Sequence, residues 1–135
     1  MRNVFSVDLE DYFHPTEVSR DATDWPRFAA RIEIGTNFLL DLLAEHQTRA
    51  TFFILGWVAH NQPELVRRIV DAGHEISCHS YHHKLVYSLT PAEFREDTCH
   101  AMHAIEDVCG LSPKALPGTQ LLHHIQELLG FGDSC

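Results

Sequence analysis

A chain of 135 residues, 44% of them hydrophobic, is long enough for one domain with a sizeable core. A net charge of −9 argues against general binding to nucleic acid or to an anionic membrane surface. No apolar run approaches the ~20 residues of a membrane helix, and the N-terminus enters a strand-like run with no apolar leader, so a cytoplasmic chain without a membrane span is the expectation. The four cysteines, Cys78, Cys99, Cys109 and Cys135, have no C-x-x-C spacing and suggest neither a zinc ribbon nor a redox motif.

In chain order, Val4-Phe5-Ser6-Val7 reads as a short buried strand that ends at Asp8. Residues 12–31 are polar, hold Pro15 and Pro26, and read as a long loop of the kind that often carries function. Apolar side chains and a glycine then recur with helical period at Ile32, Gly35, Leu39, Leu42 and Leu43, up to about Glu45-His46. Ala50-Thr51-Phe52-Phe53-Ile54-Leu55 is a continuous apolar run, predicted to be a strand buried on both faces and closed by Gly56. Pro63 opens a helix whose buried stripe is Leu65, Val66, Ile69 and Val70, with Gly73 at its C-terminal end. Glu75-Ile76-Ser77-Cys78 is a third strand. Thr90-Pro91-Ala92-Glu93 starts a last helix, with Phe94, Thr98, Ala101, Ile105 and Val108 on one face and Gly110 at its end.

This alternation predicts an α/β fold with parallel strands and right-handed crossovers, in which functional groups gather at the carboxyl ends of strands. Two segments meet that description. The first is Ser6-Val7-Asp8-Leu9-Glu10-Asp11-Tyr12-Phe13, with three carboxylates where a strand ends. The second is Gly73-His74-Glu75-Ile76-Ser77-Cys78-His79-Ser80-Tyr81-His82-His83, with His79 and His83 four residues apart. A carboxylate and two imidazoles form a ligand set for a divalent transition metal, and a spare carboxylate can act as a base toward water. Glu10 and Asp11 both qualify as the metal carboxylate. In extended chain Glu10 points the same way as Asp8, whereas Asp11 would need a turn, and the sequence leaves the choice open. His74 and His82 read as bystanders, Ser80 as a turn residue, and His100 and His103 as part of a solvated helix face.

These segments, with the Ala50-Thr51-Phe52-Phe53 strand, resemble the polysaccharide deacetylase family (the NodB homology domain, carbohydrate esterase family 4). The V-D-x-E-D-Y-F form of the first motif is similar to the subgroup linked to exopolysaccharide export. The resemblance spans residues 3–114. It implies a partial deformed (β/α) barrel, a zinc-type metal held by an Asp-His-His set, with His79 and His83 as the histidines and Glu10 and Asp11 still competing for the carboxylate, and an acid of the first motif as general base, the role given to Asp8. It also implies deacetylation of an N-acetylated glycan.

Residues 115–135 depart from the family. Its R-x-P-x-[YF] motif, whose arginine positions the base, is due after Lys114, where the chain reads Ala115-Leu116-Pro117-Gly118-Thr119-Gln120. One back-translation of Ala115 to Leu121, with a single cytosine removed, reads Ala-Tyr-Arg-Ala-Pro-Ser-Tyr and so restores the motif. The expectation is therefore a deacetylase sequence over 1–114 and an out-of-frame tail that leaves the chain truncated and impaired. An inactive metal-binding remnant and an allantoinase-like hydrolase of a small amide are the alternatives.

Overall fold

The computed structural model describes residues 4–19 and 21–110; the tail expected to be out of frame lies outside the described residues. Three strands, β1 (Ser6–Leu9), β2 (Thr51–Ile54) and β3 (Glu75–Cys78), pair in parallel in the order β1-β2-β3. Among the described residues the α-helices are α1 (Ile32–Glu45), α2 (Gly56–Asn61), α3 (Pro63–Asp71) and α4 (Pro91–Cys109). This is an α/β arrangement with an open parallel sheet, which fits part of a (β/α) barrel.

The strand register places the future site. Leu9 pairs with Ile54, and Ile54 with Cys78, so all three strands end on one line. Glu10 and His79, the first residues beyond the two outer strands, therefore leave the sheet at the same level. They are separated by the width of β2, roughly 10 Å at the ~4.8 Å spacing of neighbouring strands.

The core is built from β2 and the helices. Phe52 and Ile54 are fully buried and pack with Leu55, Val58, Leu65, Val66, Ile69 and Ile105. Burial of one such side chain contributes about 1.5–3 kcal/mol. The ends of α4 follow its sequence: Thr90 accepts from Glu93 N and Glu93 reaches back to Thr90 N, while Gly110 closes the helix at φ 65°. Gly73, also left-handed at φ 82°, follows α3.

Three local expectations need correction. The first strand runs Ser6–Leu9, so Asp8 lies within it and Glu10 just past it. Gly56 does not close β2, which ends at Ile54; it is the first residue of α2, at a place where no side chain fits. A Cβ on Gly56 would lie 2.4 Å from Tyr81 Cδ2 and 2.6 Å from Ala101 Cα. The 12–31 segment contains a 3-10 helix, Ala22–Arg27, and buries Phe13, His14 and Trp25. Among the described residues no helix is long and apolar enough to cross a membrane.

Candidate metal centre

Two connections deliver the site. After β1 the chain turns at once, with Glu10 N donating to Asp8 O at 3.2 Å. After β3 the ladder continues for one more bond, His79 N to Ile54 O at 2.9 Å, and then the chain coils back through residues 80–83. Ser80 (φ 65°) and His83 (φ 54°) both take the left-handed conformation that non-glycine residues rarely adopt. Their bend brings the His83 ring to 5.2 Å from the His79 ring, centroid to centroid.

The result is a three-residue cluster. Glu10, His79 and His83 each place one ligand-capable atom within 4.8 Å of the others. Glu10 Oε2 approaches His83 Nε2 to 3.0 Å. Yet Glu10 Oε2 is buried and accepts no hydrogen bond from the described groups, and His83 Nδ1 is buried without a partner as well. Buried polar atoms with unmet bonding capacity are costly. A cation among one carboxylate and two imidazoles would satisfy this donor set, so these residues fit a divalent metal.

Electrostatics favour the ligand form of His79. Burial depresses its pKa below the ordinary value; the charges of Asp8 and Glu10 oppose that fall and the neighbouring His83 adds to it. A neutral imidazole keeps the lone pair a metal needs.

The two adjacent acids part ways. Asp11, 5% exposed, is engaged by backbone: its Oδ2 accepts from Arg31 N at 2.6 Å and Ile32 N at 2.9 Å, and its Oδ1 from Tyr12 N at 2.9 Å. It ties the start of α1 to the end of β1 and lies outside the three-residue cluster. Asp8 is exposed on β1, close enough for its charge to act on His79. An open cleft of about 370 Å³ runs past Asp8, Glu10, Asp11, Tyr12 and Arg31.

Sequence reasoning missed two residues near the site. His14, 1% exposed, accepts from Asp11 N through Nδ1 at 2.8 Å and sits between Trp25 and Trp57. Burial lowers its pKa to about 4, against a rise from Asp11. Asp97 is buried on α4 and contacts the turn of residues 80–83, Oδ2 accepting from Tyr81 N at 2.8 Å. A signal for Asp97 existed: it falls three residues after Phe94 and four before Ala101, within the apolar stripe. His82, read as a bystander, is paired with Asp97, and His100, read as solvated, is exposed but stacks on Tyr81 at 3.8 Å.

With this geometry in hand, comparison with known proteins identifies the class. The polysaccharide deacetylase family profile matches residues 30–120, and the chain belongs to that family. It is 42% identical over 79 residues to a chitooligosaccharide deacetylase of Bradyrhizobium sp. (strain ANU 289), covering 58% of this chain and 35% of that protein. It is 33% identical over 97 residues to a chitooligosaccharide deacetylase of Sinorhizobium fredii (strain NBRC 101917 / NGR234), covering 68% and 45%. A family 4 carbohydrate esterase from Streptomyces lividans, solved with acetate, superposes with a TM-score of 0.58 at 31% identity, over 70% of this chain and 52% of that one. The chain thus spans under half the length of these curated relatives.

Proposed function

We propose that this chain carries the metal-binding part of a glycan N-deacetylase, which hydrolyses the amide of an N-acetylated sugar residue to acetate and a free amine. The observation that supports this best is the meeting of Glu10, His79 and His83 at the carboxyl end of the sheet, in a chain related to chitooligosaccharide deacetylases.

Glu10, His79 and His83 would hold the metal, with Asp11 left to its backbone anchor. Zinc suits one carboxylate and two neutral imidazoles. Such an ion, when bound, supplies Lewis acidity toward the amide carbonyl and lowers the pKa of nearby water. Asp8 is the base in this reading. It lines the open cleft and stands two residues before Glu10, where it can take a proton from the attacking water. The hydroxyl adds to the carbonyl carbon, the C–N bond breaks, and the proton leaves with the amine.

A second reading, metal binding without turnover, is favoured by the sequence after Lys114, where an arginine of the family pattern is replaced by Ala115-Leu116-Pro117-Gly118. Catalytic groups act as a unit, so losing one removes most of the rate. In this view residues 1–114 are deacetylase sequence and 115–135 are out of frame; the coding DNA decides that point.

Two measurements test the proposal. Zinc titration of the purified chain should give tight binding that His79→Ala and His83→Ala each weaken by at least about a hundredfold, since one of three ligands in a site worth roughly 10–16 kcal/mol has a share of about 3–5 kcal/mol. Unchanged affinity in both variants would sink the metal site. Acetate release from a chitooligosaccharide, compared with a version carrying the restored arginine motif, separates the two readings. Binding without acetate in either version would leave only the second.

A further inference from the structure

We propose that Asp97, on α4, is a positioning residue that holds the metal-binding turn in its ligating shape. The inference rests on the metal reading above and extends it to a residue that touches neither His79 nor His83.

The turn between the two histidines is under conformational demand. Ser80 and His83 both have positive φ, so the segment needs restraints from outside to keep both imidazoles on one point. From α2, Gly56 N donates to Ser80 O at 2.9 Å and Trp57 N to Tyr81 O at 3.4 Å. Within the turn, His83 N donates to Ser80 Oγ at 3.1 Å. From α4, Asp97 grips the middle of the turn with both oxygens: Oδ2 accepts from Tyr81 N at 2.8 Å, and Oδ1 lies 3.2 Å from His82 Nδ1.

Asp97 is out of place unless this grip matters. It is 9% exposed and sits beside Thr98, Ala101 and Ile105, all buried, where an apolar side chain would pack well. A buried carboxylate is disfavoured unless donors meet it, and Tyr81 N and His82 Nδ1, which meet this one, both belong to the turn. The contact is reinforced next door, where the Tyr81 ring lies flat on His100, 3.8 Å between centroids and 8° from parallel. α4 therefore holds the turn by a carboxylate and by a stacked ring, and residues 81 and 82 so held lie between the two ligand positions.

The test is cobalt(II) titration of the full chain, followed by its visible d–d absorption, with the melting temperature of metal-free protein measured in parallel. Wild type, His79→Ala and His83→Ala serve as controls. Asp97→Ala should weaken cobalt binding about tenfold, the low end for losing an outer-shell partner, and should shift the absorption bands. Asp97→Asn, whose remaining oxygen can still accept from Tyr81 N, should recover part of the affinity. His82→Ala, which removes one of the two contacts, should weaken binding less than Asp97→Ala. Wild-type affinity and bands in Asp97→Ala, whatever its melting temperature, would overturn the proposal and leave Asp97 a stability residue. Should Asp97→Ala fail to fold, unchanged binding in both Asp97→Asn and His82→Ala would overturn it equally. If His79→Ala and His83→Ala bind cobalt like wild type, the metal reading itself falls, a result distinct from failure of Asp97 alone.

Discussion

The two connections that build the site solve one problem by opposite means. The β3–α4 connection is short where it matters: within five residues it presents two imidazoles, and it does so by backbone shape, through the positive φ of Ser80 and His83. The β1–α1 connection is long and contributes one carboxylate to the cluster, Glu10. The remainder of that segment is anchored by Asp11 on the amides of Arg31 and Ile32, and by the packing of Phe13, His14 and Trp25 against Trp57. A short strained turn needs outside clamps; a long loop needs an internal core. Adjacent acids can thus serve unlike ends, Glu10 facing the two imidazoles of the cluster and Asp11 facing backbone donors.

Swapping charge at those adjacent acids should give the largest effects and can break the comparison most directly. Glu10→Gln should lower zinc affinity about a hundredfold while leaving the melting temperature of metal-free protein nearly unchanged. Asp11→Asn should do the reverse. It turns an amide N–H toward backbone donors and replaces charge-assisted bonds, which should cost about 3 kcal/mol of stability in urea unfolding with little direct loss of metal affinity per folded molecule. The same response from both variants would show that the two acids share one role.

The clamp on the short turn comes next. Gly56→Ala puts a methyl group into Tyr81 and the Ala101 backbone, and should destabilise by about 2 kcal/mol, as overpacked sites do. Because Tyr81 lies in the turn between His79 and His83, zinc affinity should fall too. Lost stability with intact affinity would mean that the turn is held without α2.

The loop core can be sharpened by pH. His14 has its pKa lowered to about 4 from an ordinary 6.5, so the unfolded chain binds the extra proton first as pH falls. Its contribution is complete above about pH 6.5 and is lost progressively down to about pH 4. Between pH 7.5 and 5.5 this residue should account for about 1.4 kcal/mol of lost stability. His14→Gln should flatten the unfolding free energy over that window by about that amount; an unaltered slope would show that His14 does not titrate as its burial implies. The smallest effect is expected far from both connections. Thr90→Ala removes the reciprocal cap of α4 and should cost about 1 kcal/mol by thermal melting, with zinc affinity unchanged.

Much of the frame was legible in the sequence because it is written in local periodicity. The apolar run at residues 50–55, the Pro63 and Thr90-Pro91 starts and the Gly73 and Gly110 stops locate three elements closely, since each signal acts within one or two turns of chain. The histidine pair was legible for the same reason: four-residue spacing just past a strand is a local pattern. The exposure of Ile34 and Phe38 on α1, 73% and 72%, fits the same periodicity, which leaves both off the stripe; the exposure of Leu42, 39%, does not, because period alone does not say how wide a face the sheet covers. The burial of His14 and Trp25 in an otherwise polar loop was missed too, since no period marks an aromatic cluster assembled from separate turns.

By itself the sequence determined the strand and helix order, the family, and a short roster of acids and imidazoles able to share a cation. Only tertiary structure grouped Glu10, His79 and His83 and left Asp11 outside that group. Strand register set Glu10 and His79 at one level, the left-handed bends at Ser80 and His83 folded the second imidazole inward, and the free amides at the start of α1 drew Asp11 away. Each of those choices depends on groups brought near by the fold, whose fields and hydrogen bonds act through space, so no window of neighbouring residues contains them.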